Sequence, residues 1–287
     1  MSTNAPLPAL YISHGSPITP LEPREAGAYM QALGPAIDRA FGRPKAVLAV
    51  SAHTLARRHV LLAGARHEAV YDFGGFPDAL YRLRYDAPGA PALAPRVAAL
   101  MADAGLTVQS LDAGGLDHGI WTPMRYLYPD ADVPVLPLSF SPHDSPDALM
   151  ALGRALAPLA AEGVLIVGSG SLTHNLRLIY GPGGAPDVAA PETVETAAFR
   201  RWVAERAAAR DWAALRDYRR QAPHAAHMHP TDEHWLPFYV AAGAGGEDAV
   251  PRRLHASLTY GVLAMDLYAF GPAAAALAAA APDAVAA

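Results

Sequence analysis

The chain of 287 residues is 52% hydrophobic and 17% charged, with a net charge of −5. That balance allows a sizeable core and excludes global disorder, and the mild acidity argues against nucleic acid or an anionic membrane as partner. There is no cysteine among its residues, which rules out disulfides, thiolate metal sites and cysteine nucleophiles and leaves histidine, aspartate and glutamate as donors for any metal.

In chain order, the N-terminal MSTNAPLPAL lacks a charged region followed by a long apolar core, so it does not read as a signal peptide. No later apolar run is long and unbroken enough for a transmembrane helix, and a cytoplasmic protein is expected. Short apolar runs at 9–13, 46–51, 133–140 and 164–168 read as buried strands. Helical patterns fall between and after them, at 24–41, 91–104, 145–161 and 192–209. Residues 254–270 partly alternate and supply one or two late strands. Strands alternating with helices predict an α/β sheet covered on both faces. The stretch 272–287 is alanine-rich and reads as a frayed helix or a disordered end, leaving one domain over 1–271.

Histidines recur at the expected strand ends. His14 follows the first strand in YISHGSP, His53 the second in AVLAVSAHT, and His174 a later one in LIVGSGSLTHN, while His118 sits in a glycine-rich loop, GGLDHGIW. One histidine after a strand is more often a loop residue bonded to backbone than a ligand. In open α/β sheets, however, ligands bind outside the carboxyl ends of strands, so three histidines delivered there by separate crossovers are expected to converge. His59, His67, His143, His224, His227 and His255 lack this context and read as surface or capping residues.

The segment HPTDEHWLPF, 229–238, places two histidines five residues apart. On a regular helix that spacing turns them roughly 140° from each other, so they cannot share one metal. Pro230 suits a first helical position, with Asp232 and Glu233 at the positive end of the dipole. His229 then belongs to the helix start, Pro237 restarts or kinks the helix, and His234 is the residue aimed elsewhere.

Six stretches in order, HGSP (14–17), SAHT (51–54), YDFGGFP (71–77), LDHGIWTPM (116–124), THNL (173–176) and HPTDEHWLP (229–237), resemble the signature set of the class III extradiol ring-cleavage dioxygenases. The DOPA-dioxygenase branch, related to the LigB protocatechuate enzymes, is the most similar. The resemblance implies a three-layer αβα sandwich around a mixed, mostly parallel sheet, a non-haem Fe(II), and O2-dependent cleavage of a catechol beside its hydroxyls. It implies metal ligands at His14, His53 and His234, with His174 as acid–base histidine close enough to count as a fourth ligand and His118 on the substrate side. In the protocatechuate branch the third ligand is a glutamate, and Glu233 adjoins His234; His234 is the residue chosen here.

Three imidazoles on one face of Fe(II) leave positions for two catechol oxygens and O2. His174 is expected to move the protons, with His118 donating a hydrogen bond to oxygen or substrate. Asp117 and Asn175 are candidates to orient imidazoles or meet substrate, and Phe73, Trp121 and Trp235 are candidates for an aromatic wall, with plain core packing as the alternative. Purified protein is expected to accept Zn2+ as readily as Fe(II), since zinc ranks above Fe(II) in affinity. The competing readings are a zinc hydrolase on the same histidines, to which GSGS at 168–171 adds only a weak serine signal because it departs from G-x-S-x-G, and a non-catalytic scaffold of the same fold. Partners are expected to be a small catechol and O2, with a homo-oligomer as a further expectation.

Overall fold

The computed structural model describes residues 5–181 and 184–281. Six strands, β1 (Ala9–Ser13), β2 (Ala46–Ser51), β3 (Val135–Pro137), β4 (Val164–Gly170), β5 (Arg252–His255) and β6 (Leu267–Phe270), form one sheet in the order β3-β2-β4-β1-β6-β5. β1 to β4 run parallel, whereas β6 is antiparallel to both β1 and β5. The longer helices are α1 (Arg24–Phe41), α2 (Ala94–Asp103), α3 (His118–Leu127), α4 (Pro146–Leu156), α5 (Val194–Ala209), α6 (Pro237–Gly245) and α7 (Ala274–Ala280).

Strand side chains alternate between the two faces. Leu10, Ile12, Val47, Ala49, Leu165 and Val167 pack with α1, α3 and α7. Ala9, Tyr11, Leu48, Val50 and Ile166 pack with α2, α4, α5 and α6. Both faces are therefore buried, which is why these strands read as continuous apolar runs rather than alternating ones. The result is the expected three-layer α/β arrangement with a mixed, mostly parallel sheet.

Several expectations change in detail. The run at 133–140 contributes only Val135–Pro137 as a strand, which starts after Pro134, a residue with no N–H for a ladder. Two small sheets were not anticipated: His59–Leu62 with Val108–Leu111, and Arg66–His67 with Ala87–Pro88. The alanine-rich stretch, expected to fray, forms α7 over Ala274–Ala280 with Ala274 and Leu277 buried near α1; residues 282–287 lie outside the described residues. Among the described residues, no helix is long and apolar enough to cross a membrane.

The order β2-β4-β1 puts three parallel strands side by side with their carboxyl ends at one edge. This is the edge where α/β sheets collect their ligands.

Candidate active site

The strand-end histidines meet at this edge. His14 follows β1 directly, in a turn that Gly15 makes possible with φ of +81°. His53 lies two residues past β2 and His174 four past β4. His234 comes from the turns ahead of α6, which begins only at Pro237.

The glycines of β4 allow that last approach. A β-carbon at Gly168 would lie 2.2 Å from the Pro237 carbonyl oxygen, and one at Gly170 2.0 Å from that of His234. Between them, Ser169 points to the opposite side and meets His14. The GSGS stretch thus serves close backbone packing and support of a histidine, rather than presenting a nucleophile.

Three ring nitrogens converge. Nε2 of His53 lies 3.3 Å from Nε2 of His14 and 3.2 Å from Nε2 of His234. Each ring also has a partner at Nδ1. Ser169 Oγ donates to the Gly119 carbonyl, so its lone pair accepts from His14 Nδ1–H at 3.0 Å. His234 Nδ1–H donates to Glu233 Oε1 at 3.3 Å, and Asp72 Oδ2 stands 3.5 Å from His53 Nδ1. With the proton on Nδ1 in each ring, all three Nε2 lone pairs face a common point.

Burial first, and then the neighbouring imidazoles, push His14 and His234 far below the ordinary histidine range. Burial likewise brings His53 down to about 4. Neutral imidazoles with opposed lone pairs lack anything to bind but a cation. Two ligand nitrogens about 2.1 Å from a metal lie about 3.0 Å apart at a right angle and about 3.4 Å apart at the tetrahedral angle. The observed spacings fall inside that interval, so the donor set fits a divalent transition metal. The ligand atoms of His14, His53 and His234 form one such cluster, and those of His174, Glu233 and His234 an adjoining one.

The His174 ring stacks on that of His234, with centroids 3.4 Å apart and planes 8° from parallel. It lies outside the triad of converging nitrogens. Burial, followed by the nearby His229, lowers it to about 3 and keeps it neutral. His118 is not in a loop but is the first residue of α3. Its Nδ1–H is held by both oxygens of Asp72 at 3.0 Å, and its backbone N–H donates to Oδ1 at 3.0 Å. Burial pushes the Asp72 carboxyl up, but the hydrogen bonds and charge of His118 outweigh it and hold Asp72 below the usual carboxylate range.

Asp72, placed between the quoted aromatics of YDFGGFP, was not singled out from the sequence; an acid flanked by Tyr71 and Phe73 was the available signal. Asp117, which was singled out, does not line the pocket and makes its hydrogen bonds to hydroxyls. Its carboxylate accepts from Ser51 Oγ at 2.7 Å and from Thr54 Oγ1, clamping the turn that carries His53. Asn175 also turns away: its amide donates to the His227 carbonyl at 2.7 Å and its oxygen accepts from Arg177 N–H. Trp121 is fully buried and gives its indole N–H to the Val70 carbonyl, backing Phe73 at 6.4 Å rather than facing the cavity. Trp235 is core, bonded to Tyr239.

The segment around His229 also differs from the expected helix start. His229 is buried and ends a short helix, Ala225–Met228, with Nε2–H donating to the Leu172 carbonyl at 2.8 Å. Asp232 accepts from Tyr218 and Arg219 instead of facing a helix dipole. His67 and His255, expected at the surface or in caps, are buried as well; His67 joins the Val135 carbonyl to the Gly115 N–H.

A cavity of about 710 Å3 opens onto the histidines. His53, His118, His174 and His234 line its floor, Phe73 and Phe76 one wall, and Leu176, Ile179 and Tyr180 another.

Residues 8–271 match the family described as the catalytic LigB subunit of aromatic ring-opening dioxygenase. The chain is 36% identical over 262 residues to a protein of Beta vulgaris named 4,5-DOPA dioxygenase extradiol, covering 91% of this chain and 95% of that one. It is 40% identical over 173 residues to a protein of the same name from Escherichia coli K12, covering 60% of this chain and 62% of that one. The crystal structure of an uncharacterized Escherichia coli K12 protein superposes with a TM-score of 0.71 at 28% identity, over 92% of this chain and 100% of that one.

Proposed function

The chain belongs to the LigB family of aromatic ring-opening dioxygenases and is a dioxygenase; from that premise we propose that it uses non-haem Fe(II) and O2 to cleave a catechol ring beside its two hydroxyls, giving a muconic semialdehyde-type product. The observation that carries this reading is the convergence of three neutral imidazole Nε2 atoms at the floor of an aromatic-walled cavity. We assign His14, His53 and His234 as ligands. When bound there, Fe(II) supplies a redox centre with positions open to both catechol oxygens and O2.

The chain's own residues handle position and protons. His118 donates its Nδ1–H to the Asp72 carboxylate, which leaves Nε2 for a catechol hydroxyl or its oxygen. His174, stacked on His234 and lining the cavity, is the base that takes a hydroxyl proton and returns it as an acid later in the cycle. Phe73 and Phe76 flank a flat ring. The relatives' name makes DOPA one candidate for the catechol.

The test is oxygen uptake by protein loaded anaerobically with Fe(II) and offered catechols, read together with the yellow semialdehyde. Uptake matched to product supports ring cleavage; bound iron without uptake on any catechol contradicts it. In the same assay His174→Ala is expected to keep its iron and lose turnover. Loss of iron equal to that of His14→Ala would make His174 a primary ligand instead.

A further inference from the structure

Two carboxylates line the cavity, and they are used differently. Both oxygens of Asp72 are committed to His118, and Oδ2 also stands beside His53. Glu233 is engaged through Oε1 alone, which accepts from Thr231 Oγ1 at 2.9 Å and from His234 Nδ1–H at 3.3 Å. Among the described residues its Oε2 has no hydrogen-bond partner, and no lysine or arginine lines the cavity. Nδ1 and Nε2 lie on different sides of an imidazole, so Glu233 stands on the outer side of the His234 ring, away from the point where the three Nε2 atoms converge. The Glu233 side chain is only 21% exposed.

Its place relative to the metal decides what this carboxylate can do. A catechol held at the histidines turns its oxygens to the metal, and the negative charge of the catecholate offsets the metal's positive one. A substituent on the opposite edge of the ring leads away from that centre along the cavity wall. A cation on the substituent is repelled by the metal and drawn to a carboxylate on the outer side of the ligands. Glu233 Oε2 is the carboxylate oxygen so placed and without a donor, and water screens a side chain this covered less than one on the open surface. We infer that Glu233 is a specificity-determining residue: Oε2 accepts a hydrogen bond from an ammonium on the ring substituent, so that aminoalkyl and amino-acid catechols are preferred to uncharged ones of the same size. The inference rests on the ring-cleavage reading for where the catechol sits, and it adds the residue that reads the substituent. A carboxylate beside the ammonium does not bear on it.

Two matched pairs replace the ammonium by a hydroxyl: dopamine against 2-(3,4-dihydroxyphenyl)ethanol, and L-DOPA against 3-(3,4-dihydroxyphenyl)lactate. With the Fe(II)-loaded enzyme at pH 7, kcat/KM is expected to be roughly tenfold higher for the amine of each pair, the order of one charge-assisted hydrogen bond. Glu233→Gln keeps an oxygen for Thr231 and His234 but loses the charge, and the advantage of the amine should largely disappear. Each ratio compares two substrates in one protein, so a loss of iron or packing in the variant cancels. Asp72→Asn removes the other carboxylate of the cavity and should leave the ratios in place; their loss there would overturn the proposal even if Glu233→Gln does not fold. Equal or reversed ratios in the unmodified enzyme would overturn it while leaving ring cleavage intact. Ratios that survive Glu233→Gln, with both members reduced alike, would assign the carboxylate to the histidines alone and overturn it too. If none of the four is turned over, ring cleavage fails for this set, and calorimetric affinities of the same pairs for the anaerobic iron-loaded protein decide. The same order in Kd, lost in Glu233→Gln, supports the selection; equal affinities, the reverse order or no binding overturns it.

Discussion

Two buried polar clusters lie close together in this molecule and are built on opposite principles. In the first, Asp266 is fully buried and stands between Arg200, 3.0 Å away, and Arg253, 2.5 Å away, and Arg200 reaches on to Glu192 at 2.6 Å. Each charge there has an opposite charge supplied by the chain. In the second, His14, His53 and His234 turn like lone pairs toward one another at 3.2 to 3.3 Å, with Nδ1 of His14 and His234 bonded outward to Ser169 and Glu233 and that of His53 facing Asp72. The first cluster is complete and therefore structural. The second is complete only with a cation from outside, which is the mark of a site.

The largest effects should separate the two clusters by kind. His14→Ala or His53→Ala is expected to weaken iron binding severely and to abolish oxygen uptake while the metal-free protein still unfolds cooperatively near the temperature of the unmodified one. Metal analysis with thermal denaturation checks this, and retention of full iron by either variant would break the assignment. Arg200→Met should do the reverse. Removing one partner of a buried ion pair costs about 3–5 kcal/mol because the remaining carboxylate is left without its counter-charge. Denaturant titration should show that loss, with iron per folded molecule unchanged.

The next effect tests the hinge between pocket wall and histidines. Asp72 serves His118 through three contacts and stands beside His53. Groups that orient metal-binding histidines typically matter by about 10- to 100-fold in metal affinity or activity. Asp72→Asn is expected to fall in that range, whereas Asp117→Asn, whose partners are Ser51 and Thr54, should act mainly on stability. Similar iron affinity and turnover in Asp72→Asn and the unmodified enzyme would remove Asp72 from the site.

The structural cluster also carries a pH signature. His255 is buried against Tyr29, bonded to Ser257, and pushed down to about 4, by burial first and then by Arg253 and Arg200. The unfolded chain protonates this histidine below about 6.5, whereas the folded protein resists until about 4. Stability is therefore full above pH 6.5 and is lost as the pH falls from there toward 4. His255→Gln should flatten that slope, measured as unfolding free energy against pH; an unchanged slope would assign it to other buried histidines such as His229.

The sequence showed one of these clusters far better than the other. β1, β2 and α1 have the bounds their apolar patterns predict, because both sheet faces are covered and the strand signal is undiluted. His14, His53 and His174 stood at strand ends, so their convergence followed from topology. Asp266, Arg200 and Arg253 are joined only by tertiary approach, and no local pattern marks them. The same holds for the partners of the histidines: Asp72 meets His118 across 46 positions, and Ser169 meets His14 across 155. Asp117 and Asn175 were candidates to accept the second N–H of an imidazole, and their hydrogen bonds go instead to Ser51 and Thr54 and to the His227 carbonyl and the Arg177 N–H.

Ser169 offers the finest test of the comparison, because its effect should be small and its direction specific. Its hydroxyl donates to the Gly119 carbonyl, which leaves a lone pair as the partner of His14 Nδ1–H. That arrangement fixes the tautomer that presents Nε2 inward. Ser169→Ala removes the acceptor, and the buried His14 ring then has as much reason to protonate Nε2 as Nδ1. A net hydrogen bond is worth about 1 kcal/mol, so iron affinity should fall roughly fivefold, since 1.4 kcal/mol corresponds to tenfold. The loss should vanish when His14 is already alanine, because Ser169 then has no ring to orient. A double-mutant cycle on iron affinity, carried out with the weaker-binding variants at higher metal concentration, reads this coupling directly. A Ser169→Ala penalty of the same size in the His14→Ala background would mean that the hydroxyl acts through the Gly119 carbonyl and the packing of α3, and the tautomer argument for the first ligand would fail.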